Sequence, residues 1–177
     1  MKKVILFAGC PGSGKTPIAY YLSQNLNLPI LNNDAIRTEV SEDHGWYLDG
    51  KDDAKYYTTR DERAYELLKS GKDFIYDASI DRTWSDKKAI LIQSGYEWFI
   101  ISINLSKDKL KQLYINKKYD KGSEGDWTER LDGWCQDHQK FLEKFSGEIG
   151  LCIDDDNFIY RLSMSLEATR RFMKGGR

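Results

Sequence analysis

Long apolar runs are missing from this chain. No stretch approaches the roughly 20 residues that a membrane-spanning helix needs, so no membrane partner is expected. The apolar run nearest the N-terminus, Val4–Ala8, is too short for a secretory segment, and Gly9-Cys10-Pro11-Gly12 ends it without a cleavage-type site. Cysteine is scarce as well. Cys10, Cys135 and Cys152 are odd in number and stand at unrelated spacings, which suggests neither a disulfide framework nor a zinc site. The cytoplasm is the expected setting. An excess of one charge sign is also absent. Lys and Arg number 27 against 28 Asp and Glu, a formal net charge of −1, which gives no bulk attraction to nucleic acid or to an anionic surface. Internal repeats, low-complexity tracts and Pro/Ser-rich linkers are lacking, so nothing divides the chain. Its 177 residues, 40% of them hydrophobic, suit one compact domain spanning 1–177.

What is present is an alternation of short apolar runs with segments of helical spacing. Lys3–Ala8, Pro29–Asn32, Phe74–Asp77, Glu97–Ile103 and Ile149–Ile153 read as five strands. Between and after them, Lys15–Asn25, Asp34–Val40, Ala54–Lys69, Ser85–Gln93, Lys107–Asn116, Trp127–Phe145 and Phe158–Met173 carry apolar residues three and four apart and read as helices. Residues 41–53 and Tyr119–Asp126 are polar, charged and glycine-bearing, and read as loops, the second of them mobile. The basic end from Arg170 to Arg177 is expected to fray. Strands that alternate with helices argue for a parallel sheet covered on both faces, an α/β fold in three layers, α/β/α.

One segment carries specific chemistry. Gly9-Cys10-Pro11-Gly12-Ser13-Gly14-Lys15-Thr16 follows the first strand, opens the first helix, and fills every required position of G-x-x-x-x-G-K-[ST]. Its glycines let the backbone turn N–H groups onto phosphate oxygens, and the helix start favours an anion. Lys15 can reach the β- and γ-phosphates of ATP, and Thr16 can ligate Mg²⁺. The loop therefore predicts a nucleoside triphosphate as ligand, with Gly9, Cys10, Pro11, Gly12, Ser13, Gly14, Lys15 and Thr16 around its phosphates. Pro17 is tolerable one residue on, because first-turn N–H groups lack intrahelical partners. Cys10 lies close to the helix start, where a thiol pKa tends to fall.

With this loop, the segments Asn33-Asp34-Ala35-Ile36-Arg37 after strand two and Phe74-Ile75-Tyr76-Asp77-Ala78-Ser79 at strand three resemble a family of small P-loop kinases. It includes polynucleotide 5′-hydroxyl kinase domains, zeta-toxin-like kinases and the kinase that phosphorylates chloramphenicol. The resemblance implies a P-loop NTPase fold with strand order 2-3-1-4-5 and Mg²⁺-dependent transfer of the γ-phosphate of ATP to a hydroxyl. In such kinases the Asp of D-x-x-R meets the acceptor hydroxyl and the Arg grips the acceptor, roles that fall on Asp34 and Arg37. Three-residue spacing puts the two on one helix face, and a carboxylate beside the acceptor hydroxyl is the expected base. The alternative for Asp34 is an N-cap, with Arg37 a surface residue.

Asp77 ends an apolar strand, where it either holds Mg²⁺ through water or caps a turn. Arg82, in the following loop, touches acceptor or phosphates, or is simply exposed. The family's lid, usually rich in Arg, corresponds here to about 117–130, with Lys117, Lys118, Lys121 and Arg130. Lys supplies charge without a planar fork, so Arg130 is the first choice for stabilising charge on the moving phosphoryl group. Asp154-Asp155-Asp156-Asn157 suits a solvated helix start better than a metal site. Trp46, Tyr47, Tyr56 and Tyr57 flank the acidic loop, where they either stack on an acceptor or serve the core. A small hydroxyl-bearing acceptor is favoured. A nucleotide or polynucleotide 5′-hydroxyl is the alternative within kinases, and the charge balance argues against a polymer. An ATP-binding switch or ATPase acting on a protein partner is the reading from another class, since the loop alone serves both.

Overall fold

The structure, a computed structural model, describes residues 2–43, 53–116 and 124–176. Five parallel strands form one sheet in the order β2-β3-β1-β4-β5. They are β1 (Lys2–Gly9), β2 (Ile30–Asn32), β3 (Phe74–Ser79), β4 (Tyr96–Ile103) and β5 (Ile149–Ile153). The helices are α1 (Lys15–Leu26), α2 (Asn33–Asp43), α3 (Asp53–Ser70), α4 (Trp84–Gln93), α5 (Lys107–Asn116), α6 (Glu124–Phe145) and α7 (Arg161–Met173). This is the three-layer architecture expected. Among the described residues, no helix is long and apolar enough to cross a membrane.

β1 shows why the sheet is parallel and central. Val4 through Cys10 is buried without a break, as a strand covered on both faces must be. Successive side chains point to opposite faces. Ile5 and Phe7 enter one core with α1, α5 and α7, whereas Val4, Leu6 and Ala8 enter another with α2, α3 and α4. Full burial of such side chains contributes about 1.5–3 kcal/mol each. α6 serves both cores, Leu131 joining the first and Phe141 the second.

Because all five strands run the same way, their C-terminal ends share one edge of the sheet. β1 ends at Gly9, β2 at Asn32 and β3 at Ser79 along that edge. In such sheets ligands bind outside these ends, where the chain turns from one side of the sheet to the other. After β3 the loop is tied back to β1 by Ile80 N–H donating to the Phe7 carbonyl at 3.0 Å.

Three boundaries differ from expectation. α6 begins at Glu124, so residues 124–126, expected in the loop, form its first turn, and Gly133 lies within an unbroken helix. An amphipathic face bearing Leu131 and Phe141 outweighs the cost of one glycine. The basic end is not frayed through 176. Lys3 Nζ donates to the carbonyls of Phe172 at 2.7 Å and Met173 at 3.1 Å, closing α7 with a cation at its negative end. α2 extends to Asp43, into the expected loop 41–53. Residues 44–52 of that loop, with Trp46 and Tyr47, and the lid residues Lys117, Lys118 and Lys121 lie outside the described residues, and Asp53 opens α3.

Candidate active site

Gly9 starts the turn at φ 137°, and a Cβ there would stand 2.7 Å from the Ile103 carbonyl oxygen. Only glycine fits this close approach. Gly12 (φ 82°) and Gly14 (φ 96°) complete the left-handed turns that lead into α1. Gly14 occupies the N-cap position, with no side chain capping the helix and no acidic residue in its first turn. The positive end of α1 therefore faces the loop unopposed by its own helix. Ser13 is fully buried, yet its Oγ has no hydrogen-bond partner. An uncapped helix start and an orphaned hydroxyl inside a glycine loop are the features expected of a cradle that takes phosphate oxygens.

Lys15 folds back across the loop, its Nζ donating to the carbonyls of Gly9 at 2.9 Å and Cys10 at 2.7 Å. Burial pulls its pKa below the usual lysine value, against the raising pull of Asp81, Cys10, Asp77 and Asp34. These contributions place three carboxylates within electrostatic reach of one ammonium. Asp34 comes from α2, Asp77 from β3 and Asp81 from the loop after β3, and the field of all three reaches Lys15 near the C-terminal ends of the strands.

Asp77 is 5% exposed. Thr16 Oγ1 donates to its Oδ1 at 3.3 Å, and Asn32 Nδ2 donates to its Oδ2. Burial raises the carboxyl pKa, opposed by those hydrogen bonds and by Lys15. A hydroxyl and a carboxylate facing each other beside a phosphate cradle form the hard-oxygen set that suits Mg²⁺, which keeps most of its waters and takes few protein ligands. No cluster of three or more His, Cys, Asp or Glu side chains able to hold a metal occurs among the described residues. Two protein oxygens are what such a site would offer.

The raised pKa has a consequence for stability. The folded protein binds the Asp77 proton more tightly than the unfolded chain does. This contribution is therefore complete below the unfolded pKa and is lost as pH rises through the folded one. At neutral pH the buried charge is a cost. Asp77→Asn should leave the ligand-free protein as heat-stable as wild type or more so, since Thr16 can accept from the new amide while Asn32 still donates to its oxygen. Any binding of Mg²⁺ at the Thr16–Asp77 pair should weaken at the same time. Paired melting curves and Mg²⁺ titrations check this, and a clear loss of melting temperature in the variant would count against it.

Asp34 is exposed in the first turn of α2. The cap is supplied by another residue: Asn32 Oδ1 accepts the Ala35 N–H at 2.6 Å. Asp34 is therefore not the N-cap, and its carboxylate is not committed to the helix start. Arg37, one turn on, lies with its guanidinium 4.2 Å from the centre of the buried Tyr56 ring. Arg60 reaches the same ring at 5.9 Å and Tyr57 at 4.9 Å. Arg82 is exposed and pairs with Asp137 of α6 at 2.6 Å. Arg130 is exposed on α6. Asp154 accepts the N–H groups of Asp156 and Asn157 at 3.1 Å, and Asp155 accepts the Ser106 N–H at 3.0 Å. The acidic triplet thus braces a turn against the start of α5.

Sequence reasoning missed Asp81. Its two carboxylate oxygens accept the Gly9 N–H at 3.2 Å each, and Oδ1 lies 3.2 Å from Nδ1 of the buried His138 on α6. Asp81 therefore anchors the first residue of the loop. The available signal was a second Asp four residues past Asp77 in the crevice loop. Asn32 was also missed, although its position just before the α2 helix is that of a cap. Cys10 differs from expectation too. Burial, with Cys135 and Asp81 nearby, pushes its thiol up to about 12, so desolvation outweighs the nearby helix start.

Comparison with known proteins bears on the family and the fold. A family model described as an AAA domain matches residues 4–140. No curated protein matches the chain. Among solved structures, a protein of Chloroflexus aurantiacus is similar at 17% identity and TM-score 0.69, covering 99% of this chain and 98% of its own. A gluconokinase from Sinorhizobium meliloti is 17% identical at TM-score 0.59, covering 98% and 94%. The Mycobacterium tuberculosis APS kinase, solved with AMPPNP and APS, is 13% identical at TM-score 0.57, covering 96% and 98%. At these identities the likeness establishes the fold.

Proposed function

The chain belongs to the AAA domain family, with the fold of small P-loop kinases, and from that premise we propose that it transfers the γ-phosphate of ATP, with Mg²⁺, to a hydroxyl on a small acceptor. The observation that carries this reading is the place of Asp34, in the first turn of α2 directly after β2, uncommitted to the helix cap and within electrostatic reach of Lys15 and Asp77. A nucleotide switch needs the loop and a metal carboxylate. It has no need of a further, uncommitted carboxylate on the neighbouring helix.

In this reading the backbone of Gly9–Thr16 cradles the phosphates and Lys15 leaves its loop carbonyls for the β- and γ-oxygens. Thr16 and Asp77 would hold Mg²⁺, which when bound neutralises charge on the β- and γ-phosphates. Asp34 orients the acceptor hydroxyl and takes its proton. Arg37, one helical turn from Asp34 and against Tyr56, offers a cation that supports an acceptor bearing an anionic group. Arg130, in a lid taken to run from about 117 to 130, supplies further positive charge to the moving phosphoryl group. Residues 1–177 act as one domain. The structural relatives named above are a gluconokinase and an APS kinase, and the latter was solved with AMPPNP and APS, which supports a triphosphate donor and a small acceptor here. The cytoplasm, where ATP is available and thiols stay reduced, suits this activity.

The test is a screen of purified protein against hydroxyl-bearing metabolites, anionic ones included, with γ-labelled ATP. Label should pass to an acceptor only in the presence of Mg²⁺. If no acceptor is labelled and slow ATP hydrolysis is indifferent to Asp34, the switch is the better reading. Labelling of an oligonucleotide 5′-hydroxyl alone would move the protein to the polynucleotide class.

A further inference from the structure

Cys10 and Cys135 are 125 residues apart, yet their sulfurs lie 3.7 Å from each other. Helical spacing on α6 builds this contact. Leu131, Cys135 and His138 share the face turned toward the loop edge of the sheet, with Leu131 in the core and His138 on Asp81. Both cysteines are free thiols. One belongs to the phosphate loop and the other to the helix that carries Arg130, five residues earlier.

We propose that Cys10 and Cys135 form a reversible disulfide under oxidation by a hydroperoxide, stapling the phosphate loop to α6 and suppressing nucleotide binding. The loss of binding rests on the kinase reading above, whereas the pairing of the thiols does not.

The two sulfurs have different parts. Cys10 is 4% exposed, but Cys135 is only partly buried and lines an open cleft with Leu105, Lys107 and Asp155. Cys135 is therefore the thiol that meets the oxidant. Its thiolate attacks one oxygen of hydrogen peroxide, the O–O bond breaks, and the departing hydroxide takes up a proton as water, leaving Cys135 as a sulfenic acid. Cys10 sulfur then attacks the Cys135 sulfur. The S–S bond forms, the S–O bond breaks, and the second water carries off the Cys10 proton. Two thiols lose two electrons and one peroxide becomes two waters. Burial makes Cys10 a poor first nucleophile, but contact with Cys135 supplies the proximity that a resolving thiol needs.

The bond would bring the sulfurs from 3.7 Å to about 2.05 Å. Cys10 cannot follow without disturbing the cradle, because its carbonyl accepts both Lys15 Nζ at 2.7 Å and the Ser13 N–H at 3.2 Å. Oxidation thus couples the one loop that must wrap phosphate to a helix fixed elsewhere by Asp81–His138 and Arg82–Asp137.

The experiment treats reduced protein with hydrogen peroxide and measures pairing and binding on the same sample. The expected product is two hydrogens lighter, retains only the Cys152 thiol, and yields a Cys10–Cys135 linked peptide on non-reducing digestion. Its Mg-ATP affinity by calorimetry should fall at least about 10-fold and return with dithiothreitol. Cys135→Ser, or Cys135→Ala if serine disturbs the packing, should bind Mg-ATP like the reduced wild type and ignore peroxide. Links through Cys152, or sulfinic acid without the linked peptide, would overturn the pairing. A linked product with unchanged affinity, or a Cys135 variant as sensitive as wild type, would overturn the switch. A reduced protein that does not bind Mg-ATP at all would refute the phosphate-loop reading and with it the loss of binding, while the linked peptide still decides the pairing.

Discussion

Lys15→Ala should cost phosphoryl transfer roughly 10²–10³-fold or more, the scale of losing one preorganised charge stabiliser, while the protein remains folded. The Lys15 ammonium donates to the carbonyls of its own loop, Gly9 and Cys10, rather than tying one element of the fold to another. Two effects on stability oppose each other. The substitution removes an ammonium that burial disfavours, and it leaves Asp81, Asp77 and Asp34 without their shared cation. The melting temperature should move little as a result. Nucleotide affinity should fall with activity, because the same ammonium is assigned to the β- and γ-phosphates. Circular dichroism, calorimetry with Mg-ATP and transfer of γ-label on one preparation make the comparison. A folded variant that turns over at the wild-type rate would remove the phosphate cradle from this loop.

Asp34→Asn separates a kinase from a switch. The amide keeps size and one hydrogen-bonding oxygen but cannot take a proton. Transfer to the acceptor should fall by about 10²–10⁴, the range for a lost general base. A loose transition state, in which the proton moves late, would bring the loss toward the lower end. Mg-ATP affinity should hardly change, since the base acts on the acceptor. The structure sharpens this test. Asn32, not Asp34, caps α2, so the variant loses a first-turn charge at a helix N-terminus, about 0.3–1 kcal/mol, while its lost attraction to Lys15 and lost repulsion of Asp77 oppose each other. Any large loss of activity is therefore not a loss of folding. If binding and transfer both survive, Asp34 is a surface residue. If binding collapses with transfer, its role is at the metal or the phosphates.

Much of the site was legible because it is local. The loop Gly9–Thr16 is eight consecutive residues whose glycines, lysine and hydroxyl have positional reasons that hold wherever a strand feeds a helix through such a turn. Asp34 and Arg37 share a helix, so spacing alone put them on one side. Long-range partners were a different matter. The peptide N–H of Gly9 is held by Asp81, 72 residues away, and His138 reaches Asp81 from 57 residues further on. No periodicity in either segment announces the other. For Arg82 the sequence left open a contact with acceptor or phosphates and simple exposure; the residue is exposed and pairs with Asp137 on α6, a partner its own segment does not announce.

By itself the sequence determined the alternation of five strands and seven helices and, through the buried two-sided pattern of β1, a parallel sheet. It also placed the phosphate loop at the junction of β1 and α1. These follow from short-range rules: side-chain period, turn chemistry and the backbone freedom of glycine, all of which act within a few residues. The strand order was expected through resemblance, and the sheet pairing supplies it. Only the tertiary structure decided which distant groups share the loop's edge. It put Asp81 on Gly9, Asn32 on Asp77 and Cys135 on Cys10, and it buried Cys10 deeply enough to reverse the pKa shift expected at a helix start. The reason is that pairing, burial and desolvation depend on how α6 and the β3–α4 loop close over the end of β1. That closure is set by the summed packing of two cores, which no single segment encodes.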